Sequence, residues 1–409
     1  MSSPRRMQLH FTLLLLAYYC STHIAASGGN GTTVQCLADQ AAFLLQLKHS
    51  FYNPNLSSWQ QCTDCCRWEG VGCNRASGQV IILDLSDRNL RSIGGLSPAL
   101  FNLTSLRNLS LSGNDFGLTS LPRFGFERLI ELLILNLSNA RLFGQIPIGI
   151  SPLKDLRTLD SSYNIGLYFN EPSFQMVVGN LSNLRELKLN DVDITRGGEN
   201  WSNSLANSVP RLQLLSLDAC GLSGHINSSF SRLKYLEKII LSQNSISGEV
   251  TQFLANFSSL STLDLRYNDF EGQFPTKIFY LKKLRSVGLS WSNRLSVHLP
   301  HFPAENSLEL LHLIGTNVTV SVPSSFVNLK SLASLALSMG EVADVTIALI
   351  SKLPSLQSLT LHGSGSEKPN FSWISNLERL RYLELAYYNL SSPIPFWVSN
   401  LTSLTSLLL

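Results

Sequence analysis

The sequence contains few charged residues. They make up 14% of the 409 residues, the formal net charge is +3, and lysines and arginines form no run. Nucleic acids and anionic membrane surfaces are bound by basic patches or stripes. The near-neutral composition therefore argues against a nucleic-acid partner, and it predicts that a partner is recognised by shape and by local contacts.

Short motifs of common catalytic and cofactor sites are also missing. The sequence has no G-x-S-x-G, no H-E-x-x-H, no Gly-rich phosphate loop and no dinucleotide glycine pattern. Each of these motifs places a nucleophile, metal ligands or backbone amides where a reaction requires them. We therefore expect neither an enzyme nor a resident cofactor or metal ion.

The N-terminal apolar run is short. It extends from Phe11 to Cys20, about half of the ~20 residues that a membrane-spanning helix needs. Arg5 and Arg6 precede it, and the small residues Ala26 and Ser27 follow it. This arrangement is typical of a secretory signal peptide, which we assign to residues 1–27.

Cysteine is rare outside one cluster. Five of the seven cysteines fall within 38 residues after the signal peptide, at Cys36, Cys62, Cys65, Cys66 and Cys73. Export favours disulfides, and no histidine lies between Cys62 and Cys73 to support a zinc site at the C-x-x-C. Loop length favours pairing of Cys36 with Cys65 and of Cys66 with Cys73, although sequence alone does not fix the connectivity. Cys62 is then expected to be unpaired or joined to another chain.

One pattern repeats through the rest of the chain. The motif Leu-x-x-Leu-x-Leu-x-x-Asn-x-Leu starts at residues 80, 106, 132, 156, 184, 212, 236, 260, 284, 308, 332, 356, 380 and 404, and the last nine starts are 24 residues apart. Leu260–Phe270 is a clear instance. This period is the signature of a leucine-rich repeat, and it predicts an α/β solenoid, a right-handed superhelix with a parallel β-sheet on its concave face.

Each repeat position has a predicted role. Leucines at positions one, four, six and eleven point into a core that only stacked neighbours close, and alternate strand residues face outward. At position nine an asparagine can bond to the adjacent turn, as expected for Asn114, Asn164, Asn244 and Asn268. Cys220 occupies this position and is expected to be a buried thiol. Other residues interrupt the row: Arg88, Ala140, Val192, Thr316, Gly340, Ser364 and Tyr388.

Two regions depart from the regular period. The 28-residue repeats that start at 156 and 184 carry extra sequence at 169–178 and 199–208, for which we expect short packing helices. Pro300 and Pro303 fall in the stretch from 298 to 306, where we expect the stacking to be locally distorted.

The two ends of the repeat array differ. Residues 28–79 are expected to form an N-terminal cap, in which apolar positions 43, 44 and 47 suit a helix that covers the open end of the first repeat. Residues 80–409 then hold thirteen complete repeats and a truncated fourteenth. Because the chain stops inside a strand with no closing segment, we expect it to be the N-terminal part of a longer protein.

Sequons for N-glycosylation are frequent, as expected for a secreted glycoprotein. Those at Asn108 and Asn136 fall on outward strand positions, where a glycan would block the early repeats. The full set is Asn30, Asn55, Asn102, Asn108, Asn136, Asn180, Asn200, Asn227, Asn256, Asn317, Asn370, Asn389 and Asn400. We therefore expect a ligand to bind later concave positions: Arg266, Tyr267, Trp291, His312, His362, Tyr382, Glu384 and Tyr387.

Outward histidines and aspartates raise the question of chemistry on the same face. His312 and His362 lie two repeats apart, roughly 10 Å by strand spacing, so we do not expect them to share a metal ion. Asp84, Asp160 and Asp264 recur at position five, where a carboxylate pair for glycoside hydrolysis is the alternative. Because the aspartates recur at one repeat position, we interpret them as solvent-facing strand residues.

The cap from Cys36 to Cys73, the run Leu83-Asp-Leu-Ser86 and the turn Gly144-Gln-Ile-Pro147 resemble the extracellular regions of plant leucine-rich-repeat receptors. Together with the run 135–150, the cap is most similar to receptor-like proteins of the Verticillium-wilt-resistance type. The resemblance implies a cell-surface receptor with one membrane-spanning helix and no kinase of its own, which signals through partner receptor kinases in defence or development. The spanning segment would lie C-terminal to this chain.

Two other functions stay open at this point. One is a soluble apoplastic inhibitor of a cell-wall-degrading enzyme, because such inhibitors have a similar cap and 24-residue repeats. The other is the ectodomain of a receptor kinase. In every case the expected partner is an extracellular peptide, glycan or protein, and the expected location is the cell surface or the apoplast.

Overall fold

The structure is a computed structural model that describes residues 34–409 except 93, 171–172, 196–199, 319–321, 339–343, 364–369 and 389–395. The predicted signal peptide lies outside the described residues. So do the sequons at Asn30 and Asn389 and the position-nine residues Gly340 and Ser364. The chain divides into two compact units, the first ending at Leu212 and the second beginning at Gln213.

The first unit combines a helical cap with a parallel sheet. Its α-helices are α1 Ala38–His49, α2 Ser173–Val178 and α3 Trp201–Ser208. Its strands are β1 Val71–Cys73, β2 Val80–Asp84, β3 Asn108–Ser110, β4 Thr119–Ser120, β5 Ile134–Asn136, β6 Leu142–Gln145, β7 Thr158–Asp160, β8 Leu167–Tyr168 and β9 Glu186–Lys188. The main sheet runs β1-β2-β3-β5-β7-β9, antiparallel only at β1 and β2, and β4-β6-β8 form a smaller one.

The second unit continues the same plan with one α-helix, α4 Asp344–Ile350. Its strands are β10 Leu214–Ser216, β11 Ser223–Gly224, β12 Lys238–Ile240, β13 Ser245–Glu249, β14 Thr262–Asp264, β15 Asp269–Gln273, β16 Ser286–Gly288, β17 Arg294–Val297, β18 Leu310–His312, β19 Asn317–Val318, β20 Ser334–Ser338, β21 Ser358–His362, β22 Tyr382–Ala386 and β23 Ser406–Leu408. We call the parallel set β10-β12-β14-β16-β18-β20-β21-β22-β23 the second-unit sheet; β11-β13-β15-β17-β19 form the smaller one.

Short 3-10 helices carry the chain back between strands in many repeats. In the first unit they are Cys65–Arg67, Pro98–Asn102, Phe126–Arg128 and Ile148–Ile150. In the second unit they are Ser228–Arg232, Gln252–Asn256, Thr276–Tyr280, Ser324–Asn328, Ser372–Asn376 and Phe396–Asn400. Residues 298–309 form neither helix nor strand, which is the local departure that Pro300 and Pro303 predict.

The sheet register confirms the 24-residue period. Leu263 pairs with Val287, and Leu359 with Leu383, so equal repeat positions lie side by side. Leu260, Leu263 and Leu265 are fully buried. Because each leucine packs against its counterparts in adjacent repeats, the core is shared and no repeat closes it alone.

The position-nine asparagines link adjacent turns as predicted. The side-chain carbonyl of Asn244 accepts hydrogen bonds from the backbone amides of Cys220 and Leu222, at 3.1 and 2.9 Å. Its amide donates to the backbone carbonyls of Leu217, Leu241 and Ser242. One side chain therefore bonds to five backbone groups in two adjacent turns and helps to satisfy them. Cys220 is buried, as expected for its position.

The extra sequence of the 28-residue repeats forms α2 and α3, which confirms the expected short helices. Trp201 on α3 is fully buried, and the rings of Phe169 and Phe174 pack edge to face with centroids 5.3 Å apart. Their apolar side chains thus enlarge the core of the first unit.

The cap is held by disulfides and by one buried hydrogen bond. Cys36 pairs with Cys65 and Cys66 with Cys73, as loop length favours. Cys62 is disulfide-bonded as well, so the expectation that it is unpaired is wrong. The side chain of Gln40 on α1 accepts a 2.6 Å hydrogen bond from the backbone amide of Val80, and Leu44 is fully buried. Helix α1 therefore covers the apolar edge of the first repeat.

Candidate functional site

The eight residues predicted to bind ligand all lie in the second unit, on the second-unit sheet or within three residues of its strands. Four rings form a continuous series that we call the aromatic row: Tyr267, Trp291, His362 and Tyr387. Sequence placed these residues on one face; their mutual contacts are visible only in the structure.

The aromatic row joins residues that are distant in sequence. The rings of Tyr267 and Trp291 stack with centroids 5.9 Å apart at 18°. Trp291 meets His362 edge to face at 5.8 Å, and His362 meets Tyr387 at 5.3 Å. Tyr267 and Tyr387 are 51% and 67% exposed, so the row presents aromatic surface to solvent at both ends.

Gly315 makes the central contact possible. Trp291 follows β16 and His362 ends β21, and these two strands lie three positions apart in the second-unit sheet, roughly 14 Å by strand spacing. A β-carbon at Gly315 would lie 2.9 Å from Cε3 of Trp291. The indole therefore lies over a backbone without a side chain, and that clearance lets it extend toward His362.

Three of the four rings come from residues with left-handed backbone. The φ angles of Tyr267, Trp291 and Tyr387 are 54°, 66° and 60°. All three stand at position eight, where other repeats have the same left-handed backbone with quite different residues, such as Tyr163 (φ 60°) and Gln243 (φ 55°). Bulky residues in this region cost about 1–3 kcal/mol each. The left-handed turn is thus a property of the repeat, and the aromatic side chains carry the same local cost there as other residues that are not glycine.

Glu384 lies at one end of the row. Its Oε2 accepts a 2.8 Å hydrogen bond from the Tyr382 hydroxyl, and its Oε1 lies 3.7 Å from Nε2 of His362. Burial, and then the hydrogen bond to Glu384, raise the pKa of Tyr382. The carboxylate is therefore held in place beside the aromatic surface.

Asp264 and Arg266 form a bidentate pair on the same sheet. Nε and Nη2 of Arg266 donate to the two carboxylate oxygens at 2.8 and 2.6 Å. The hydrogen bond to Asp264 raises the pKa of Arg266. A β-carbon at Gly288 would lie 2.9 Å from Oδ1 of Asp264, so the pair lies across that glycine.

His312 is half-buried between this pair and the next strands. Its Nε2 lies 2.8 Å from Oγ of Ser334. Burial, and then the positive charge of Arg266, lower the pKa of His312 to about 4, while Asp264 opposes the shift. His312 is therefore a neutral imidazole under most conditions.

The low pKa of His312 predicts a pH-dependent stability. The unfolded chain binds a proton near the ordinary pKa of 6.5, whereas the folded chain binds it only near pH 4. Stability present above pH 6.5 is thus lost as pH falls to about 4, by up to ~3 kcal/mol. The free energy of unfolding of His312→Gln, measured in urea, should not show this part of the pH dependence. His301→Gln, at an exposed histidine, should keep it; identical pH profiles for all three proteins would contradict the assignment.

The other candidate groups for chemistry have separate partners. Oδ1 of Asp84 accepts from the backbone amide of Ser86, and Oδ1 of Asp160 from that of Ser162. Asp264 pairs with Arg266. The four sulfurs of Cys36, Cys65, Cys66 and Cys73 lie within 4.8 Å of one another, but they form two disulfides and offer no thiolate to a metal ion.

The described sequons of the second unit lie off its main sheet. Asn256 and Asn400 end 3-10 helices, and Asn317 is on β19 of the smaller sheet. In the first unit, Asn108 on β3 and Asn136 on β5 belong to the main sheet, as predicted. Glycans at these two positions would cover strands of the first-unit main sheet. Within the described residues, no helix has the length and apolar character needed to cross a membrane.

Sequence comparison identifies the repeats and the cap. The family described as leucine-rich repeat region matches residues 206–409, and the leucine-rich repeat N-terminal domain matches residues 37–74. Receptor-like protein EIX1 of Solanum lycopersicum is 32% identical over 309 residues, which cover 70% of this chain and 29% of that protein. Receptor-like protein Cf-9 of Solanum pimpinellifolium is 30% identical over 344 residues, covering 78% and 33%. The chain thus spans about a third of the length of these relatives.

Solved structures share the fold. The ectodomain of the Arabidopsis thaliana receptor kinase GASSHO1/SCHENGEN3, in complex with Casparian strip integrity factor 2, matches with a TM-score of 0.58 at 25% identity, covering 88% of this chain and 48% of that one. The Arabidopsis receptor kinase HAESA, in complex with the peptide hormone IDA and the co-receptor SERK1, matches with a TM-score of 0.54 at 24% identity, covering 90% and 78%. We conclude that the chain belongs to the leucine-rich-repeat family, begins its repeats with the N-terminal domain of that family, and is related in sequence to the plant receptor-like proteins.

Proposed function

We propose that the chain is part of the ectodomain of a cell-surface receptor-like protein, and that it binds an extracellular peptide or protein through the second-unit sheet. The aromatic row carries this proposal, because its rings contact one another in a preformed series and are exposed at both ends. The relatives named as receptor-like proteins and the receptor kinase of the same fold in complex with a peptide hormone support it.

The composition of the surface suits a peptide or protein partner. Tryptophan, tyrosine and arginine are the residues that most often dominate binding energy at protein interfaces. Here Trp291 lies between Tyr267 and His362, so the flat rings are already ordered before a ligand arrives. Ordered rings lose little conformational entropy on binding.

Polar groups beside the row would orient the ligand. Glu384 and Arg266 offer a carboxylate and a guanidinium, which can bond to backbone amides and carbonyls of an extended segment. Asp264 pairs with Arg266, and His312 lies beside Ser334, an arrangement for binding rather than for proton transfer. We therefore assign recognition and no reaction to this surface. Membrane attachment and a co-receptor kinase would belong to the whole receptor.

Site-specific photocrosslinking tests the proposal. A benzoylphenylalanine at position 267 should capture a peptide or protein from extracellular fluid, identified by mass spectrometry. The matched control is position 280, where Tyr280 is also 51% exposed but ends the 3-10 helix Thr276–Tyr280 away from the row. We expect at least tenfold more of one captured species from position 267, because a contact surface is local.

The captured species must also compete with its own unlabelled synthetic form. Equal capture at both positions, or capture that competition does not reduce, would show nonspecific adhesion and contradict the assignment of this surface. Capture at position 267 alone would support it.

A further inference from the structure

A second charged surface lies on the first unit. An open cavity of about 400 Å³ is lined by four arginines, two carboxylates and two uncharged side chains. The lining residues are Arg107, Glu131, Leu133, Asp155, Arg157, Asn183, Arg185 and Arg211. The cavity has the size of a site for a small ligand or a short segment of one.

Backbone pairing places two of these arginines side by side. The backbone amide of Arg157 donates to the carbonyl of Leu133 at 2.7 Å, and that of Arg185 donates to the carbonyl of Arg157 at 2.8 Å. Arg157 and Arg185 therefore directly precede the neighbouring strands β7 and β9, about 4.8 Å apart at the backbone. Like charges at directly neighbouring positions of a sheet repel each other.

Charges within the cavity are unequally matched. Arg107 lies 3.4 Å from Glu131, and Arg211 donates to the side-chain carbonyl of Asn183 at 2.8 Å. Within the part of the chain that the structure describes, Arg157 and Arg185 have no ion pair. Four guanidinium groups against two carboxylates leave an excess of two positive charges around one open volume.

We propose that this cavity binds an acidic peptide segment of a protein partner, with Arg157 and Arg185 as the principal contacts. A guanidinium binds a carboxylate through two parallel hydrogen bonds, and two adjacent arginines can hold two acidic side chains of one segment. Binding would remove the repulsion between the two arginines. The site is on the first unit and does not depend on the aromatic row.

A peptide fits the lining better than an acidic polysaccharide. None of the described residues that line the cavity is aromatic, so sugar rings find no flat surface on which to stack. The carboxylates of Glu131 and Asp155 would repel a chain that carries a negative charge on every unit. A peptide can place its acidic side chains at the arginines and its backbone amides near these carboxylates.

Calorimetric titration of the purified protein with hexaglutamate tests the site, with hexaglutamine as the neutral probe. Arg157→Gln/Arg185→Gln should weaken hexaglutamate binding at least about tenfold, as expected when charge-assisted hydrogen bonds are lost. The matched control is Lys282→Gln/Lys283→Gln, which removes two exposed cations from a cavity of about 360 Å³ in the second unit. It should change binding less than twofold.

Arg157→Lys/Arg185→Lys keeps the charge and should lose part of the affinity, because lysine cannot make the bidentate contact. Both double variants replace exposed side chains, and their circular dichroism should match that of the parent. If the second-unit control lost as much affinity for hexaglutamate, binding would reflect long-range attraction of the peptide to positive charge. That result would overturn the site. Absence of hexaglutamate binding to the parent, or tighter binding of hexagalacturonate, would overturn the proposal of an acidic peptide.

Discussion

Replacing Trp291 with glycine is expected to weaken binding of the ligand captured at position 267 at least about 30-fold, while the free energy of unfolding changes by less than about 1 kcal/mol. The binding loss follows from the central place of the indole, which contacts both Tyr267 and His362. Its removal eliminates one ring and leaves its two neighbours without their common support.

The small stability change follows from two opposed terms. Glycine adopts the φ of 66° freely, which removes about 1–3 kcal/mol of backbone strain. The two ring contacts that disappear are worth about 0.5–1.5 kcal/mol each. These terms are similar in size, so thermal unfolding should stay nearly unchanged.

Affinity measured by calorimetry and unfolding measured in urea separate the two quantities. Tyr280→Gly is the control, because it removes an aromatic residue that is as exposed as Tyr267 but lies outside the row. Undiminished affinity of Trp291→Gly would remove the aromatic row as the binding surface. A large loss of stability would show instead that Trp291 is mainly a structural residue.

Replacing Asn244 with alanine is expected to lower the free energy of unfolding by about 3 kcal/mol. Two of the three carbonyls keep another donor, because that of Leu241 also accepts from Asn268 and that of Ser242 from the amide of Ala219. The substitution leaves two backbone amides and one backbone carbonyl without their side-chain partner. These groups lie in turns that strand pairing does not satisfy, and each buried group left unpaired costs about 1–3 kcal/mol. Because these groups keep partial access to water, the total loss of stability is smaller than the sum of the single costs.

Thr316→Ala provides the comparison for Asn244. Thr316 stands at the same repeat position, but its hydroxyl donates one bond, to the carbonyl of Leu313 at 2.7 Å. Its loss should cost about 1 kcal/mol in the same urea titration. If both substitutions had the same cost, the asparagine bonds would contribute little beyond filling the position.

Much of the fold could be predicted from the period alone. A leucine at a fixed repeat position finds its partners at the same position of the next repeat, as in the pairing of Leu359 with Leu383, so local spacing determines long-range contacts. The same reasoning placed Asn244 and Cys220 correctly. It failed at Cys62, which the odd number of cysteines in the cluster left without a partner.

The candidate site was predictable only in part. Outward positions follow from strand alternation, so Tyr267 and Trp291 were assigned to one face. The left-handed backbone of these residues carried no sequence signal, because position eight holds aspartate, alanine, glutamine, glycine and tyrosine alike. The carboxylate of Asp264 and the hydroxyl of Ser334 were not recognised as the partners of Arg266 and His312.

The sequence by itself determined the repeat, its register, the covered N-terminal edge and the face on which each side chain lies, because these properties depend on spacing along the chain. The tertiary structure decided which side chains touch across repeats. Trp291 meets His362 because Gly315 leaves room for the indole, and Glu384 reaches the same imidazole from the neighbouring strand. Such contacts depend on side-chain volume and direction at several repeats at once, which no single repeat encodes.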